Sequence, residues 1–376
     1  MKMRQNRAVY LHNIDACCSV GLDKNIIFKS IIDGISGVKK YSDFLIDKDL
    51  SAIGKIDSTK SFNRLLIEKV ESILENSNLD SFDNTFLAVG SSVGGMAWAE
   101  MQFIKSKGSY KDILLEKQSI HSIAYILNKK FKFKDTITFS TACTSSSNAI
   151  VFAKELIEVE AYNNVLVVGA DSISLTTVNG FNALGVLSKE TSTPFDKNRD
   201  GMNVAEGIGI MLFSSKKSSI KLAGVGCSSD AYNITHPKPD GNGAKLAMQK
   251  ALKDASLESN QIDYINAHGT GTVANDSAEG RAILELFSHK PLVSSTKSLT
   301  GHTLGACGAI EGVISAIVLE SGVVPSNIGL KEQELEELNL TTKNIICKDI
   351  EFVLSNAFAF GGNNVSIIFQ KVKSEN

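Results

Sequence analysis

Short runs of consecutive apolar residues alternate along the chain with longer stretches in which apolar residues recur every third or fourth position. Such runs are typical of strands buried on both faces, and such stretches are typical of amphipathic helices. The pattern predicts strands at residues 86–90, 136–139, 165–168, 209–213, 264–267, 291–294 and 365–369. It predicts helices at residues 62–76, 120–130, 145–158, 244–255, 277–286 and 308–321. Strands that alternate with helices in this way indicate an α/β fold.

One succession of elements occurs twice in the chain. Strand 86–90 runs into a glycine turn, and after a helix strand 136–139 is followed by a second helix rich in small residues. Strands 264–267 and 291–294 are followed by the same features in the same order. The pattern favours two similar halves, although chance similarity between α/β units would look the same.

Composition and charge narrow the class of protein. The 376 residues suffice for one large or two ordinary domains, and 43% hydrophobic with 21% charged residues excludes a disordered or fibrous chain. The 39 basic and 41 acidic residues leave a net charge of −2, so no nucleic-acid partner is expected. No apolar run approaches the roughly 20 residues of a membrane span, and the apolar stretch after basic residues 1–7 is too short for a signal peptide. We expect a soluble, cytoplasmic protein.

The six cysteines are expected to be reduced thiols, and their spacing does not suggest a zinc site. Cys143 alone has neighbours that suggest chemistry, because it follows a buried strand and precedes the small residues that start helix 145–158. Free N–H groups and the helix dipole at a helix N-terminus would lower the pKa of this thiol and make it a nucleophile for acyl transfer. A buried structural thiol is the alternative, and Cys307 is expected to be such a packing residue.

A histidine stands at the end of strand 264–267. His268 is followed by glycines that let a ligand approach the backbone closely. Thr270 and Thr272 add hydroxyl groups that can hydrogen-bond a slender polar ligand. The alternative is a core histidine beside a turn.

A lysine and a second histidine follow strand 291–294. Lys297 precedes His302 by five residues, and helix 308–321 begins shortly afterwards. A buried lysine needs an ion-pair partner, and Glu311 is the candidate. The alternative is a small-residue packing helix that carries a salt bridge.

A loop with two adjacent glycines precedes the last predicted strand. Phe358 and Phe360 come before Gly361 and Gly362. Adjacent glycines permit unusual dihedral angles and leave N–H groups free, so this loop could donate hydrogen bonds to an oxyanion. The alternative is a tight turn beneath an aromatic plug.

These four segments, in their order along the chain, resemble the beta-ketoacyl-acyl-carrier-protein synthase family, the condensing enzymes of fatty-acid and polyketide synthesis. The resemblance is to the members of this family that have a Cys-His-His site. The match spans about residues 86–370 and includes two further stretches, one at residues 194–201 followed by 206–207 and one at residues 230–255. The resemblance implies a thiolase fold, in which two similar halves form α-β-α-β-α layers and the chain is normally dimeric. The implied halves are residues 1–218, with the nucleophile and a cap region, and residues 219–376, with both histidines, the lysine and the glycine-rich loop.

The resemblance also implies a reaction, the decarboxylative Claisen condensation. Cys143 takes an acyl chain from a carrier-protein phosphopantetheine or coenzyme A thioester, and the N–H groups of Cys143 and Phe360 hold the oxyanion. His268 and His302 bind the thioester carbonyl of malonyl-carrier protein and stabilise the enolate released by decarboxylation. That carbanion attacks the acyl-Cys143 and yields a 3-ketoacyl thioester.

The remaining implied roles are supporting ones. Lys297, with Glu311, fixes the field around the histidines, and Thr270 and Thr272 bind the pantetheine arm. Phe360 is the acyl gate, together with the turn at residues 240–243 and the loop that holds Phe358, Gly361 and Gly362. Neither a metal nor a cofactor is implied, since the phosphopantetheine is borne by the substrate. The implied partners are an acyl carrier protein, for which Arg199, Lys60 and Arg64 are candidate basic contacts, and a second ketosynthase-like chain in a homodimer or heterodimer.

Four departures from the family pattern concern the substrate. The N-terminal strand at residues 8–11 lacks the usual threonine-glycine turn, and the chain between Gly95 and Thr136 is short. Asn148 stands where a histidine is common on the nucleophile helix, and Ala205 replaces a glycine. Together with residues 176–181, the short cap resembles the compact ketosynthases of aryl-polyene and related specialised lipid pathways.

Several alternatives to this enzyme remain distinguishable. A non-catalytic chain-length partner usually lacks the nucleophile, and a malonyl decarboxylase that makes starters would carry glutamine at position 143. A thiolase-type enzyme or one with a Cys-His-Asn site would lack the second histidine, His302. An active subunit that needs an inactive sister chain in a heterodimer stays open.

Overall fold

The computed structural model describes residues 7–46, 51–77 and 84–373, so that the basic residues 1–6 lie outside the described part. The strands are β1 (Tyr10–Cys18), β2 (Val38–Tyr41), β3 (Ser51–Gly54), β4 (Thr85–Gly90), β5 (Asp135–Phe139), β6 (Asn164–Asp171), β7 (Gly207–Ser214), β8 (Ile220–Ser229), β9 (Tyr264–Asn266), β10 (Leu292–Ser294), β11 (Val323–Val324), β12 (Ile345–Ile346), β13 (Phe352–Phe358) and β14 (Asn363–Lys371). The helices are α1 (Lys24–Ile32), α2 (Phe62–Glu75), α3 (Met96–Lys105), α4 (Leu115–Gln118), α5 (Ser122–Phe131), α6 (Ser145–Glu158), α7 (Leu175–Ala183), α8 (Asn242–Ala255), α9 (Val273–Leu286), α10 (Lys297–Thr300) and α11 (Cys307–Ser321).

Ten strands form one sheet in which each half of the chain supplies five neighbouring strands. Their order is β10-β9-β13-β14-β8-β1-β7-β6-β4-β5. From the central β8–β1 contact outwards, each side has two antiparallel pairings followed by two parallel ones. The succession β4, β5, α6 in the first half therefore corresponds to β9, β10, α11 in the second. The α/β class and the two similar halves are confirmed.

Helices α6 and α11 form a central layer. They contact each other, and each also contacts strands from both halves of the sheet. Helices α2 and α5 cover the first half on the outside, and α8 packs against β8 and β14 of the second half with α9 beside it. This gives the five layers of the expected fold.

Small residues let the central helices approach the strands closely. A Cβ atom built on Gly209 of β7 would lie 2.7 Å from the backbone nitrogen of Ile310, so only glycine fits there. Within the described residues, one helical stretch, Leu304–Ser321, is long and apolar enough to cross a membrane, and 83% of it is buried inside the protein. Its apolar character is therefore that of a core helix.

The sequence pattern missed two central strands. Residues 355–364 were expected to form one loop, but β13 extends to Phe358 because it pairs with β9 on one side and β14 on the other. The glycine turn is therefore confined to the four residues between β13 and β14. Strand β8 was also missed, since several of its positions are half-exposed and the apolar run is interrupted. The short cap region is occupied by α3, α4 and α5.

Candidate active site

Cys143 lies in a sharp turn between β5 and α6. The preceding residue, Ala142, has a φ of 53°, in the left-handed region that residues with a side chain rarely adopt. Such a turn directs the nucleophile away from the backbone into a cavity, as in other strand-to-helix turns that carry one. Behind it, the buried Cys307 thiol contacts the carbonyl oxygen of Cys143 at 3.1 Å, which agrees with a packing role.

One cavity of about 400 Å³ brings the predicted groups together. Its lining includes Cys143, His268, His302, Thr270, Thr272, Phe358 and Phe360. The Cys143 sulfur and one ring nitrogen from each histidine lie within 4.8 Å of one another. The two imidazole rings stand nearly perpendicular, at 84°, with their centroids 5.2 Å apart. Residues from both halves of the fold therefore meet at one end of this cavity.

Hydrogen bonds decide which ring nitrogen of each histidine carries the proton. Nδ1 of His302 accepts the N–H of Leu304 at 3.2 Å, so the neutral ring is protonated on Nε2. That Nε2 lies 3.1 Å from the Cys143 sulfur. Nδ1 of His268 lies 3.3 Å from the ammonium nitrogen of Lys297, which can only donate, so this ring is also protonated on Nε2. Both histidines therefore present N–H donors.

A buried ion pair stands behind His268. Lys297 and Glu311 are in direct contact, and both side chains are almost completely buried. The ammonium group also donates to the main-chain carbonyl of His268 at 2.7 Å. Burial and the positive charge of Lys297 hold the pKa of both histidines well below the ordinary value. Burial raises the pKa of Glu311 to about 7, against the opposing effect of Lys297.

The prediction of a lowered pKa for Cys143 is wrong. Burial raises the pKa of this thiol to about 11, and the charge of Lys297 together with hydrogen bonds from the N–H groups of Phe360 and Cys143 offsets only part of that effect. The reason is that the cysteine is buried, and desolvation of a thiolate there outweighs the nearby favourable charge and dipoles. Cys143 is therefore a neutral thiol beside two neutral imidazoles.

The turn after β13 places Phe360 beside Cys143. Its N–H group faces the Cys143 sulfur, and its ring lies 6.0 Å from the ring of Phe181 across the cavity. Gly361 and Gly362 both have positive φ, at 86° and 78°. Phe358 is the last residue of β13, and its ring lies 6.0 Å from that of His268.

Two segments lie beside the glycine turn. Residues 230–234 hydrogen-bond to it directly: the carbonyl of Ile234 accepts the N–H of Gly361 at 2.7 Å, and the N–H of Asp230 donates to the carbonyl of Gly362 at 2.8 Å. The turn at residues 240–243 leads into α8, and a Cβ atom built on its Gly243 would lie 2.6 Å from the side-chain nitrogen of Asn364. The acyl gate expected at residues 240–243 stays a prediction.

The two threonines lie on the wall of the cavity. Their hydroxyl oxygens are 2.9 Å apart, and Asp276 holds the loop by accepting the N–H groups of Thr270 and Gly271 at 3.0 and 3.2 Å. Asp276 is fully buried and was not identified from the sequence. It lies in α9, one residue before the helix predicted at residues 277–286.

Of the three candidate basic contacts for a carrier protein, only two are exposed. Arg199 is buried, lies 3.5 Å from Asp276 and forms an ion pair with Glu334, so it supports the threonine loop instead of facing a partner. That prediction is wrong because several distant segments close over the guanidinium group. Lys60 and Arg64 are exposed, and both pair with Glu68.

Two further buried carboxylates support the site and were missed. Glu279 accepts the N–H groups of His268 and Gly269, each at 2.8 Å, and burial raises its pKa to about 7. Asp171, at the end of β6, accepts three N–H groups, including that of Gly305 at 2.7 Å, and burial raises its pKa to about 6. The signal for both was a lone acid among small residues, in Ala278-Glu279-Gly280 and Gly169-Ala170-Asp171.

The same three atoms have a spacing that could suit a metal ion. The Cys143 sulfur and the nitrogens of His268 and His302 are close enough to share one. A metal ligand needs the lone pair of its ring nitrogen, however, and the donors from Leu304 and Lys297 occupy both Nδ1 atoms, which leaves a proton on each Nε2. The arrangement is therefore suited to hydrogen-bonding a negatively charged oxygen.

Comparisons with known proteins agree with this geometry. The family model of the beta-ketoacyl synthase N-terminal domain matches residues 29–219, and that of the C-terminal domain matches residues 220–331. The 3-oxoacyl-[acyl-carrier-protein] synthase 2 of Coxiella burnetii is 30% identical, over 98% of this chain and 99% of its own length. The enzyme of that name from Vibrio harveyi is 34% identical over 76% of this chain and 75% of its own.

Solved structures give the same picture. A ketosynthase in complex with its chain length factor, from Xenorhabdus doucetiae, has a TM-score of 0.90 at 28% identity and covers 97% of this chain and 98% of its own. A beta-ketoacyl synthase from Burkholderia phymatum has a TM-score of 0.88 at 27% identity, over 98% of this chain and 100% of its own. The thiolase fold expected from the sequence is confirmed.

Proposed function

Because the chain belongs to the beta-ketoacyl synthase family, we propose that Cys143, His268 and His302 carry out its condensation reaction at the end of the shared cavity. The chain is an acyltransferase of the 3-oxoacyl-carrier-protein synthase class, acting in fatty-acid or polyketide synthesis. The observation that carries the residue roles is the convergence of one sulfur and two ring nitrogens within 4.8 Å.

The first step loads the acyl chain. The Cys143 sulfur forms a bond to the thioester carbonyl carbon, and the carbon–sulfur bond to the pantetheine breaks. The proton of the Cys143 thiol ends on the departing pantetheine sulfur. The N–H groups of Phe360 and Cys143, which already face the sulfur, are placed to stabilise the oxyanion of the tetrahedral intermediate.

The second step makes the carbon–carbon bond. The malonyl thioester loses carbon dioxide, and the electron pair of the broken bond becomes an enolate whose oxygen accepts the Nε2–H groups of His268 and His302. The enolate carbon then attacks the acyl carbonyl carbon, the bond to Cys143 breaks, and the released thiolate takes a proton from solvent. Each such donor is worth a factor of about 10²–10³ in rate.

The cavity suits a carrier-borne substrate. Thr270 and Thr272 lie on the wall of the cavity that holds Cys143, and their hydroxyl groups are suited to the amides of a pantetheine arm. Substrate therefore arrives on an acyl carrier protein, and no bound cofactor is needed. Phe181 and Phe360, in contact across the cavity, separate the arm from the space for the acyl chain.

A second ketosynthase-like chain is the proposed partner. Strand β5 is an edge strand of the sheet, and His121 at the start of α5 contacts its Thr138. Between α3 and the residue after α7, the exposed large apolar side chains are Met101, Ile104, Tyr110, Leu114, Leu115, Tyr125, Val159, Leu175 and Leu184. Such a face next to an unpaired edge is suited to a protein interface. Sedimentation equilibrium of the parent protein and of Ile104→Glu tests it, with dissociation to monomers expected for the variant.

The pathway proposed is that of a compact, specialised-lipid ketosynthase, such as those for aryl polyenes. Its support is the short cap together with residues 176–181, which form most of α7 and place Phe181 in the cavity. Competition between saturated long-chain and unsaturated or aryl starters tests this. Efficient use of saturated chains alone would reject it.

Intact-mass spectrometry after incubation with a carrier protein that bears an acyl group tests the proposed function itself. The parent protein should gain one acyl group, Cys143→Ala should gain none, and the matched control Cys347→Ala should behave like the parent. Acyl gain in Cys143→Ala would overturn the assignment of the nucleophile. If the parent gains no acyl group but decarboxylates malonyl-carrier protein, the alternative of a starter-generating partner subunit is favoured; if it does neither, a non-catalytic partner is.

A further inference from the structure

Asn148 joins three segments that meet beside the nucleophile. It lies on the first turns of α6, five residues after Cys143. Its side-chain nitrogen donates to Thr141 Oγ1 at 2.9 Å and to Asn363 Oδ1 at 3.0 Å. Its carbonyl oxygen lies 3.9 Å from the thiol of Cys227 in β8. Both N–H groups of this half-buried amide are therefore used by neighbouring segments.

Asn363 connects this network to the glycine turn. Its main-chain carbonyl accepts the N–H of Ala359 at 2.8 Å, which closes the turn that carries Phe360. Its Oδ1 also lies 2.7 Å from the hydroxyl of Thr144, next to the nucleophile. A single side chain therefore links the start of α6 to the base of the turn.

The other support of the turn comes from residues 230–234, which hydrogen-bond to the main chain of Gly361 and Gly362 and not to that of Phe360. Gly361 and Gly362 have left-handed backbones, which leave a wide range of conformations open to them. A side chain built on Gly361 would meet nothing within 4 Å. The position of the Phe360 N–H relative to Cys143 therefore depends on the base of the turn, which Asn363 closes, as well as on residues 230–234.

We propose that Asn148, through Asn363, is a positioning residue that holds the glycine turn where the Phe360 N–H meets the reacting atom at Cys143. Asn148 lies outside the residues that line the cavity, so it acts on the reaction through the segments that it holds and not by contact with the substrate. Displacing a catalytic group by about 1 Å can cost a factor of about 10² in rate. The catalytic consequence rests on the proposed function, whereas the geometry concerns the free enzyme.

Alkylation of Cys143 by iodoacetamide, followed by peptide mass mapping, measures this geometry without an acyl substrate. The Phe360 N–H lowers the pKa of the Cys143 thiol, so a displaced turn should leave that pKa higher still. Asn148→Ala should slow alkylation at constant pH about tenfold and move the pH profile up by about one unit. Asn148→His, which keeps a ring N–H donor, should recover most of the rate. Val151→Ala, on the same helix, controls for loss of helix stability and should match the parent.

A double-mutant cycle shows whether Asn148 and Asn363 act together on the turn or independently of each other. If Asn148 and Asn363 act as one unit, the double alanine variant should alkylate no more slowly than the slower single variant. With acyl-carrier protein as substrate, the single variants should lower kcat about tenfold and leave KM within about twofold, because the turn contacts the transition state. A profile for Asn148→Ala that superimposes on that of the parent, or effects that multiply in the double variant, would overturn the proposal. If the pH profile of alkylation shifts but the protein is never acylated, the positioning role of Asn148 is supported and the proposed function is rejected.

Discussion

The Nε2 atom of His302 lies 3.1 Å from the sulfur of Cys143, although 159 residues separate the two in the chain. The contact crosses the boundary between the two similar halves. Because His302 accepts the N–H of Leu304 through Nδ1, its Nε2 donates to the sulfur. The pair is a neutral thiol with a neutral imidazole, which differs from the thiolate–imidazolium pair of many cysteine enzymes.

Replacing the nucleophile should separate decarboxylation from condensation. In Cys143→Gln no acyl chain can be carried, but His268 and His302 still offer their donors to an enolate. We expect release of carbon dioxide from malonyl-carrier protein at or above the parental rate, with no 3-ketoacyl product. Measurement by radiolabelled bicarbonate release decides this, and a folded variant that releases none would contradict the roles of the histidines.

Removing the lysine should damage both stability and turnover. Lys297→Met leaves the buried Glu311 without its partner, which should lower the free energy of unfolding by about 3–5 kcal/mol. Lys297→Met combined with Glu311→Gln should restore most of that stability but not turnover, since His268 still lacks its Nδ1 donor. Urea unfolding and steady-state kinetics report the two effects separately. Near-normal turnover in the single variant would make the lysine purely structural.

Glu279 should give the protein a measurable dependence of stability on pH. Its pKa is raised from 4.5 to about 7, so the folded state binds a proton that the unfolded state has lost between these values. The contribution of Glu279 to the free energy of unfolding is therefore largest below about pH 4.5 and falls as the pH rises to about 7. Glu279→Gln removes this pH-dependent contribution to stability.

The variant and the parent should be compared across that range. The difference in unfolding free energy should move in favour of Glu279→Gln by on the order of 3 kcal/mol from the acidic to the neutral end. Titratable groups that do not interact with Glu279 cancel in the comparison. A constant difference, measured by urea unfolding at each pH, would mean that the carboxyl group is ionised throughout.

Arg199 should prove to be a structural residue. Arg199→Ala leaves Asp276 buried without a counter-ion, so a loss of about 3–5 kcal/mol in unfolding free energy is expected. Lys60→Ala, which breaks an exposed ion pair, serves as the control and should cost about 0–1 kcal/mol. Parental stability together with weaker carrier-protein binding in Arg199→Ala would restore the docking role.

Much of the architecture follows from local pattern. The apolar runs at β4, β6, β7 and β14 are buried on both faces, so their composition alone identified them as strands. The two small-residue helices were recognisable because only small side chains permit their close contact with the sheet. The ends of the strands also placed Cys143 and both histidines in turns, where functional side chains commonly stand.

Long-range burial decided the rest, because the free energy of a charge depends on every segment that closes around it. The thiol of Cys143 became less acidic, and Arg199 passed from an expected surface contact to a buried ion pair. Glu279 received its role from the backbone of a loop ten residues away. Composition and periodicity describe how one element meets water, whereas ionisation and hydrogen-bond partners arise only when distant elements exclude it.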